Sequence, residues 1–116
     1  MSVEKTHLMQ GIRFLVGATI AAGTILPFQQ TALAQDKAKI EAGEDIYNTY
    51  CSTCHGDKLV SSGQTFDLRR LTSNDRSRFQ NSVLIGKNQM PPWKGALTDD
   101  EIDLIWHFIR DNAYEK

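Results

Sequence analysis

An all-α fold is predicted by three features of this chain. Strand-like alternation of useful length is missing. Thr98-Asp99-Asp100-Glu101 is a capping box opening a run in which Ile102, Ile105, Trp106 and Ile109 recur at helical spacing. Cys51-Ser52-Thr53-Cys54-His55, which holds both cysteines of the chain, follows directly on a segment that also reads as helix.

Residues 1–34 read as a secretory signal and not as part of the fold. Lys5 and Arg13 give a weakly basic start, and Phe14 to Phe28 is a largely apolar run of 15 residues. That run is short for a membrane span and carries Gly17, Gly23 and Pro27. Ala32-Leu33-Ala34 is an A-x-A cleavage signal ahead of Gln35 and Asp36. An uncleaved N-terminal anchor is the alternative. No Arg-Arg pair points to the twin-arginine route, and no cysteine near the cleavage point offers a lipid anchor.

Cleavage leaves Gln35–Lys116, 82 residues forming one small domain. A chain this short buries a thin core and needs a staple. Its charge, 11 basic against 13 acidic residues, is unevenly spread. Gly56 to Gly95 holds seven basic and three acidic residues, while the segments on either side are acidic. No basic block with interleaved aromatics suggests nucleic acid.

Within the domain, Ile40 to Tyr50 is expected as a short helix with Gly43, Tyr47 and Cys51 on one face. Gly43 permits the close approach of another helix. Gly56 to Ser73 lacks helical period, and Ser61-Ser62-Gly63 reads as a turn. Asn74 is expected to cap a helix over Asp75–Ile85, with Phe79 and Val83 on one face and Gly86 as its stop. Lys87 to Gly95 is a loop stiffened by Pro91 and Pro92. The last helix runs from the capping box to about Asn112, with Leu104 and Phe108 widening its apolar stripe.

The CxxCH pentapeptide carries the chemistry. Two thiols three residues apart can add to the two vinyl groups of one haem, and the adjacent imidazole of His55 then lies under the porphyrin as the fifth ligand to iron. A thioredoxin-like dithiol wants a strand and a βαβ context, and zinc wants four ligands; the chain has neither a preceding strand nor a second ligand pair. Met1 and Met9 leave with the signal, so Met90 is the thioether of the mature chain and the candidate sixth ligand. Followed by two prolines and outside any periodic helix, it is poorly explained as core filler. His107 is the rival, but it shares the polar face of Asp100 and Asp103. Lys87 or Lys94 would first have to lose a proton. His–Met ligation saturates the iron, which favours reversible one-electron transfer over catalysis. No nucleophile stands with a base, so an enzyme is not expected.

At these residues the chain resembles the class I mono-haem c-type cytochromes over essentially the whole of 35–116. The Gly43/Tyr47/Cys51 spacing, the Gly86…Met90-Pro91 loop and the Ile105/Phe108/Ile109 helix carry the resemblance. It implies the cytochrome c fold, three to four helices around one covalently attached haem c. The first helix would cross the last one, with Gly43 and Tyr47 against Ile105 and Phe108. One departure is Phe66 before Asp67-Leu68, where the family usually has a proline whose carbonyl accepts the Nδ1–H of the haem histidine. A narrower resemblance, on Asp67-Leu68-Arg69, Arg78-Phe79, Val83, Gly86 and Met90-Pro91-Pro92-Trp93, is to the small cytochromes that accept electrons from periplasmic PQQ-dependent alcohol dehydrogenases. It implies Arg69 and Trp93 as partners of the haem propionates.

The function expected is that of a monomeric periplasmic electron carrier. Its partners would be redox proteins: a dehydrogenase as donor, and an oxidase or another cytochrome as acceptor. A haem protein with a displaceable sixth ligand, acting as sensor or enzyme, and a membrane-anchored redox subunit are the alternatives.

Overall fold

The computed structural model describes residues 28–115, and side chains from Ala32 onward. Among the described residues there are four α-helices: α1 (Phe28–Tyr50), α2 (Ser52–His55), α3 (Arg76–Ile85) and α4 (Asp99–Asp111). Three 3-10 turns, at Asp57–Leu59, Leu68–Arg70 and Ser73–Asp75, lie between α2 and α3. Among the described residues there is no strand, only isolated bridges pairing Lys87 with Met90 and Lys94 with Leu97. No helix there is long and apolar enough to cross a membrane.

The α1–α4 pair is the most extensive helix contact. It centres on Gly43, where an added Cβ would sit 2.0 Å from the Leu104 carbonyl oxygen and 3.1 Å from Phe108 Cβ. One turn further along the same face, Tyr47 is fully buried and its ring lies 5.3 Å from that of Phe108. The crossing expected from the glycine and tyrosine is therefore present. Its contact at Gly43 is with the Leu104 backbone, while Ile105 lines a cavity.

Helix α4 starts as its capping box dictates. Thr98 Oγ1 accepts from Glu101 N–H at 3.2 Å, and Glu101 Oε2 accepts from Thr98 N–H at 2.8 Å. Its stripe of Ile102, Ile105, Trp106, Phe108 and Ile109 is buried. Arg76 on α3 reaches across to Asp103 at 2.6 Å and lies over the Trp106 ring, tying α3 to α4.

Two boundaries differ from the sequence expectation. Helix α1 begins at Phe28, twelve residues before Ile40. Residues 32–39 are almost all exposed, so this extension rests on helix propensity: Ala, Leu, Gln and Lys with no glycine or proline. It includes the expected cleavage signal; residues 1–27 of the expected signal lie outside the described residues. Helix α3 is not capped by Asn74. Thr72 and Asp75 form a second capping box, with Asp75 Oδ2 accepting from Thr72 N–H at 2.8 Å and from its hydroxyl at 2.9 Å, and Asn74 falls inside the 3-10 turn that box initiates.

Candidate functional site

The CxxCH segment leaves α1 and turns at once into α2. Cys51 N–H still donates to Tyr47 C=O at 2.8 Å, and His55 N–H donates to Cys51 C=O at 2.9 Å, so one near-continuous helical path sets both thiols and the imidazole. Gly56 ends it at φ +87°, and a Cβ there would meet the Val60 carbonyl oxygen at 2.0 Å. Tyr47 hydroxyl donates to Gly56 C=O at 2.6 Å, pinning the exit from the motif to the helix crossing. Burial pushes that phenol up to about 12, so it remains a donor at any physiological pH.

Cys51 is half-buried and Cys54 exposed. Burial, followed by the neighbouring Cys54, pushes the Cys51 thiol up to about 11. A redox-active dithiol depends on the opposite shift, so Cys51 lacks the activating environment of a thioredoxin-like thiol. Burial also lowers the His55 pKa, opposed by the Phe66 carbonyl, which faces Nδ1 at 3.3 Å. The neutral ring with its Nδ1–H given to that carbonyl presents the Nε2 lone pair, as a metal-ligating histidine must. Phe66 thus supplies the acceptor expected of a proline at that place.

Met90 comes from the opposite side of the sequence. Gly86 ends α3 at φ +81°, and Lys87 and Met90 exchange backbone hydrogen bonds of 3.0 and 3.1 Å around a tight turn with Asn88 at φ +54°. Beyond the two prolines, Trp93 N–H donates to Val83 C=O at 2.8 Å and Lys94 N–H to Leu84 C=O at 3.3 Å. The methionine loop is therefore bonded back onto the carbonyls of α3.

These segments enclose one cavity of about 790 Å³, a volume typical of cofactor sites. Cys51, Cys54, His55 and Met90 all line it. Its walls are mostly apolar, with Leu68, Leu71, Phe79, Val83, Ile105 and Ile109 contributing. Size, apolar walls, two thiols, an imidazole and a thioether fit a porphyrin with its iron. No group of three or more His, Cys, Asp or Glu side chains suited to a bare metal ion occurs among the described residues.

Trp93 lines the cavity and meets the edge of Tyr50, ring centroids 5.5 Å apart. Arg69 is placed elsewhere: it pairs with Asp67 at 3.2 Å, lies over the Tyr114 ring at 4.7 Å and is not among the lining residues. The arginine at the cavity is Arg78, which pairs with Asp75 and covers the Phe66 ring at 5.6 Å. Its signals in the sequence were the Arg78-Phe79 pair of the narrower resemblance and its position one turn before Ser82, on a helix whose Phe79/Val83 face turns inward. His107 sits on the polar face of α4, 3.4 Å from Asp103.

Comparison with known proteins agrees with this geometry. Residues 38–109 match the family described as cytochrome c oxidase, cbb3-type, subunit III. Cytochrome c6 of Thermosynechococcus vestitus is 31% identical over 108 residues, covering 87% of this chain and 92% of that protein. The quinohemoprotein alcohol dehydrogenase ADH-IIG of Pseudomonas putida is 37% identical over 86 residues, covering 72% of this chain. The dehydrogenase subunit of the quinone-dependent alcohol dehydrogenase of Gluconobacter oxydans is 33% identical over 85 residues, covering 69% of this chain. The chain spans only 12% and 11% of these two larger proteins. No solved structure is significantly similar. A CxxCH motif on an all-α frame, matched in sequence along most of its length, places this chain among the c-type cytochromes, electron carriers with one covalent haem c, in the cbb3-type subunit III family.

Proposed function

We propose that this cytochrome is a monomeric periplasmic one-electron carrier that takes electrons from a quinoprotein dehydrogenase and passes them to an oxidase or another cytochrome. Cys51 and Cys54 would hold the haem through thioether bonds, each S–H adding across one vinyl C=C bond, and His55 and Met90 would ligate its iron. The observation that carries the reading is the convergence of those four side chains on one apolar cavity. When bound, the haem supplies reversible one-electron chemistry. The protein's share is to hold both ligands on hydrogen-bonded turns and to exclude water with α3 and α4. Trp93, which lines the cavity, is the propionate partner through its indole N–H; Arg69, expected beside it, is held by Asp67.

The likeness to quinohemoprotein alcohol dehydrogenases supports a quinoprotein donor, since those proteins carry a related domain in the same chain. Export supports the location: the apolar run and A-x-A site of the N-terminal segment are those of a cleaved signal, with the mature chain starting at Gln35. The test is isolation from the periplasm. N-terminal sequencing should read from Gln35, and the oxidised protein should show the weak near-infrared charge-transfer band of His–Met haem. A water-ligated spectrum, or ready binding of carbon monoxide by the reduced protein, would replace the carrier with a sensor or enzyme. An intact N-terminus in the membrane fraction would replace it with an anchored subunit.

A further inference from the structure

The carbonyl that faces His55 belongs to Phe66, so the turn lacks the stiffness a proline would give it, yet the next residue is tied down from elsewhere. Asp67 Oδ1 accepts from Arg69 N–H at 3.0 Å and from Arg69 Nε at 3.2 Å, and Oδ2 accepts from Arg69 Nη2 at 3.2 Å. Tyr114, in the tail beyond α4, donates its hydroxyl to Asp67 Oδ2 at 3.0 Å and its backbone N–H to Arg69 C=O at 3.0 Å. The Arg69 guanidinium lies over the same tyrosine's ring. Each of the three residues therefore contacts the other two. Tyr114 is 65% exposed, so burial of its ring does not account for where it sits. Arg110 holds the tail in place, donating to Glu115 C=O at 2.6 Å and to Leu71 C=O.

We propose that Tyr114 and Arg69 act through Asp67 as positioning residues for the His55 imidazole, fixing the Phe66 carbonyl at Nδ1 and thereby the potential of the haem. This rests on His55 as an axial ligand. A carbonyl accepting from Nδ1–H makes the imidazole a stronger donor at Nε2, which favours the oxidised metal and lowers the potential. The bond is long at 3.3 Å, and Thr65 Oγ1 waits at 3.5 Å from the same nitrogen while its hydroxyl donates to Cys54 C=O. A slight shift of the turn therefore decides which oxygen Nδ1–H meets.

The test uses the mature holoprotein. Tyr114→Phe deletes the hydroxyl and keeps the ring under Arg69; Asp67→Asn removes the carboxylate that both partners share. Two readings are taken on each: the reduction potential, and the solvent exchange rate of His55 Nδ1–H by NMR in the reduced state. Both variants should keep covalent haem and a low-spin spectrum, exchange Nδ1–H severalfold faster and shift the potential positive. The double variant should move no further than Asp67→Asn alone, because the tyrosine acts through that carboxylate. Thr98→Ala, which destabilises α4 from its other end, should move neither reading. Should Asp67→Asn fail to accumulate, Arg69→Gln removes the other arm and the same readings decide. Unchanged exchange and potential in variants with an intact spectrum would overturn the clamp. A wild-type spectrum without histidine ligation would overturn the site, and the clamp with it.

Discussion

The α-carbon of Gly43 lies so near the Leu104 carbonyl that the first atom of any side chain would meet that oxygen at 2.0 Å. The obstruction is backbone, which cannot swing aside as a side-chain tip can. Gly43→Ala must therefore force α1 away from α4, loosening the seat of Tyr47 and, through it, the Gly56 turn. The expected loss is about 3 kcal/mol or more, a fall in melting temperature on the order of 10–20 °C. Calorimetry of the holoprotein checks it, and a melting temperature within a few degrees of wild type would contradict the close crossing.

Met90→Ala should leave the haem attached, since the thioethers do not depend on it, and convert the iron to a high-spin or weakly ligated state. Absorption spectra of the purified variant decide the matter. A preserved low-spin His–Met spectrum would move the sixth ligand to another residue.

Replacing both thiols, Cys51→Ser with Cys54→Ser, should abolish covalent haem and sharply reduce accumulation. The cavity walls include Leu71, Phe79, Val83, Ile105 and Ile109, so the cofactor face and much of the core are one surface. Without haem the domain should be a loose globule, sensitive to protease. A cooperative haem-free fold would count against this.

Lys87 lies at the cavity, and Lys58 and Lys94 are exposed on the segments around it, whereas α4 opens with Asp99, Asp100 and Glu101. Such a charge separation should orient the carrier before contact with an acidic partner and raise the association rate. Electron-transfer rates with the donor should fall as salt rises. Lys87→Glu with Lys94→Glu should slow the bimolecular step in stopped flow and leave the haem spectrum unchanged. Rates indifferent to salt and to charge would point to an apolar contact instead.

Acid should unfold the protein through its capping boxes. The Thr72 backbone N–H first, and then its hydroxyl, hold the Asp75 carboxyl below its ordinary value of 3.8; Thr98 does the same for Glu101 below 4.5. Arg69 first, and then Tyr114, hold Asp67 down as well. A carboxyl with a depressed folded pKa binds fewer protons folded than unfolded. Its contribution is complete above the unfolded value and is lost as pH falls through the folded one. The melting temperature should therefore hold above about pH 5 and drop below about pH 4. Asp75→Asn with Glu101→Gln should flatten that decline, which a series of thermal melts would show.

The parts legible in the sequence were those with a local cause. The Thr98–Glu101 box and the isoleucine stripe of α4 lie within one segment, and CxxCH is a motif whose chemistry is written in adjacent residues. The place of Met90 at the cavity was reachable because it is the one methionine downstream of CxxCH and sits on a proline-stiffened loop. The start of α3 was misplaced because Asn74 is a good cap in isolation, while the Thr72–Asp75 pair has the capping-box spacing with Asp in the place of Glu or Gln. The first turns of α1 were missed because an exposed helix held by propensity leaves no apolar stripe. Which arginine meets the cavity, Arg69 or Arg78, depends on how two loops fold around it. The Asp67–Tyr114 bond spans 47 positions and has no local signature.

The methionine loop has one more implication. Trp93 and Lys94 are hydrogen-bonded to Val83 and Leu84, so the strand of chain carrying Met90 is braced on a helix and not free to breathe with the loop. On the other side the histidine stands on a helical path continuous with α1. An iron held between these two residues would find neither with slack to follow a changed bond length on oxidation or reduction. Little nuclear rearrangement would then accompany the electron, leaving the speed of each transfer to distance and driving force between the partners.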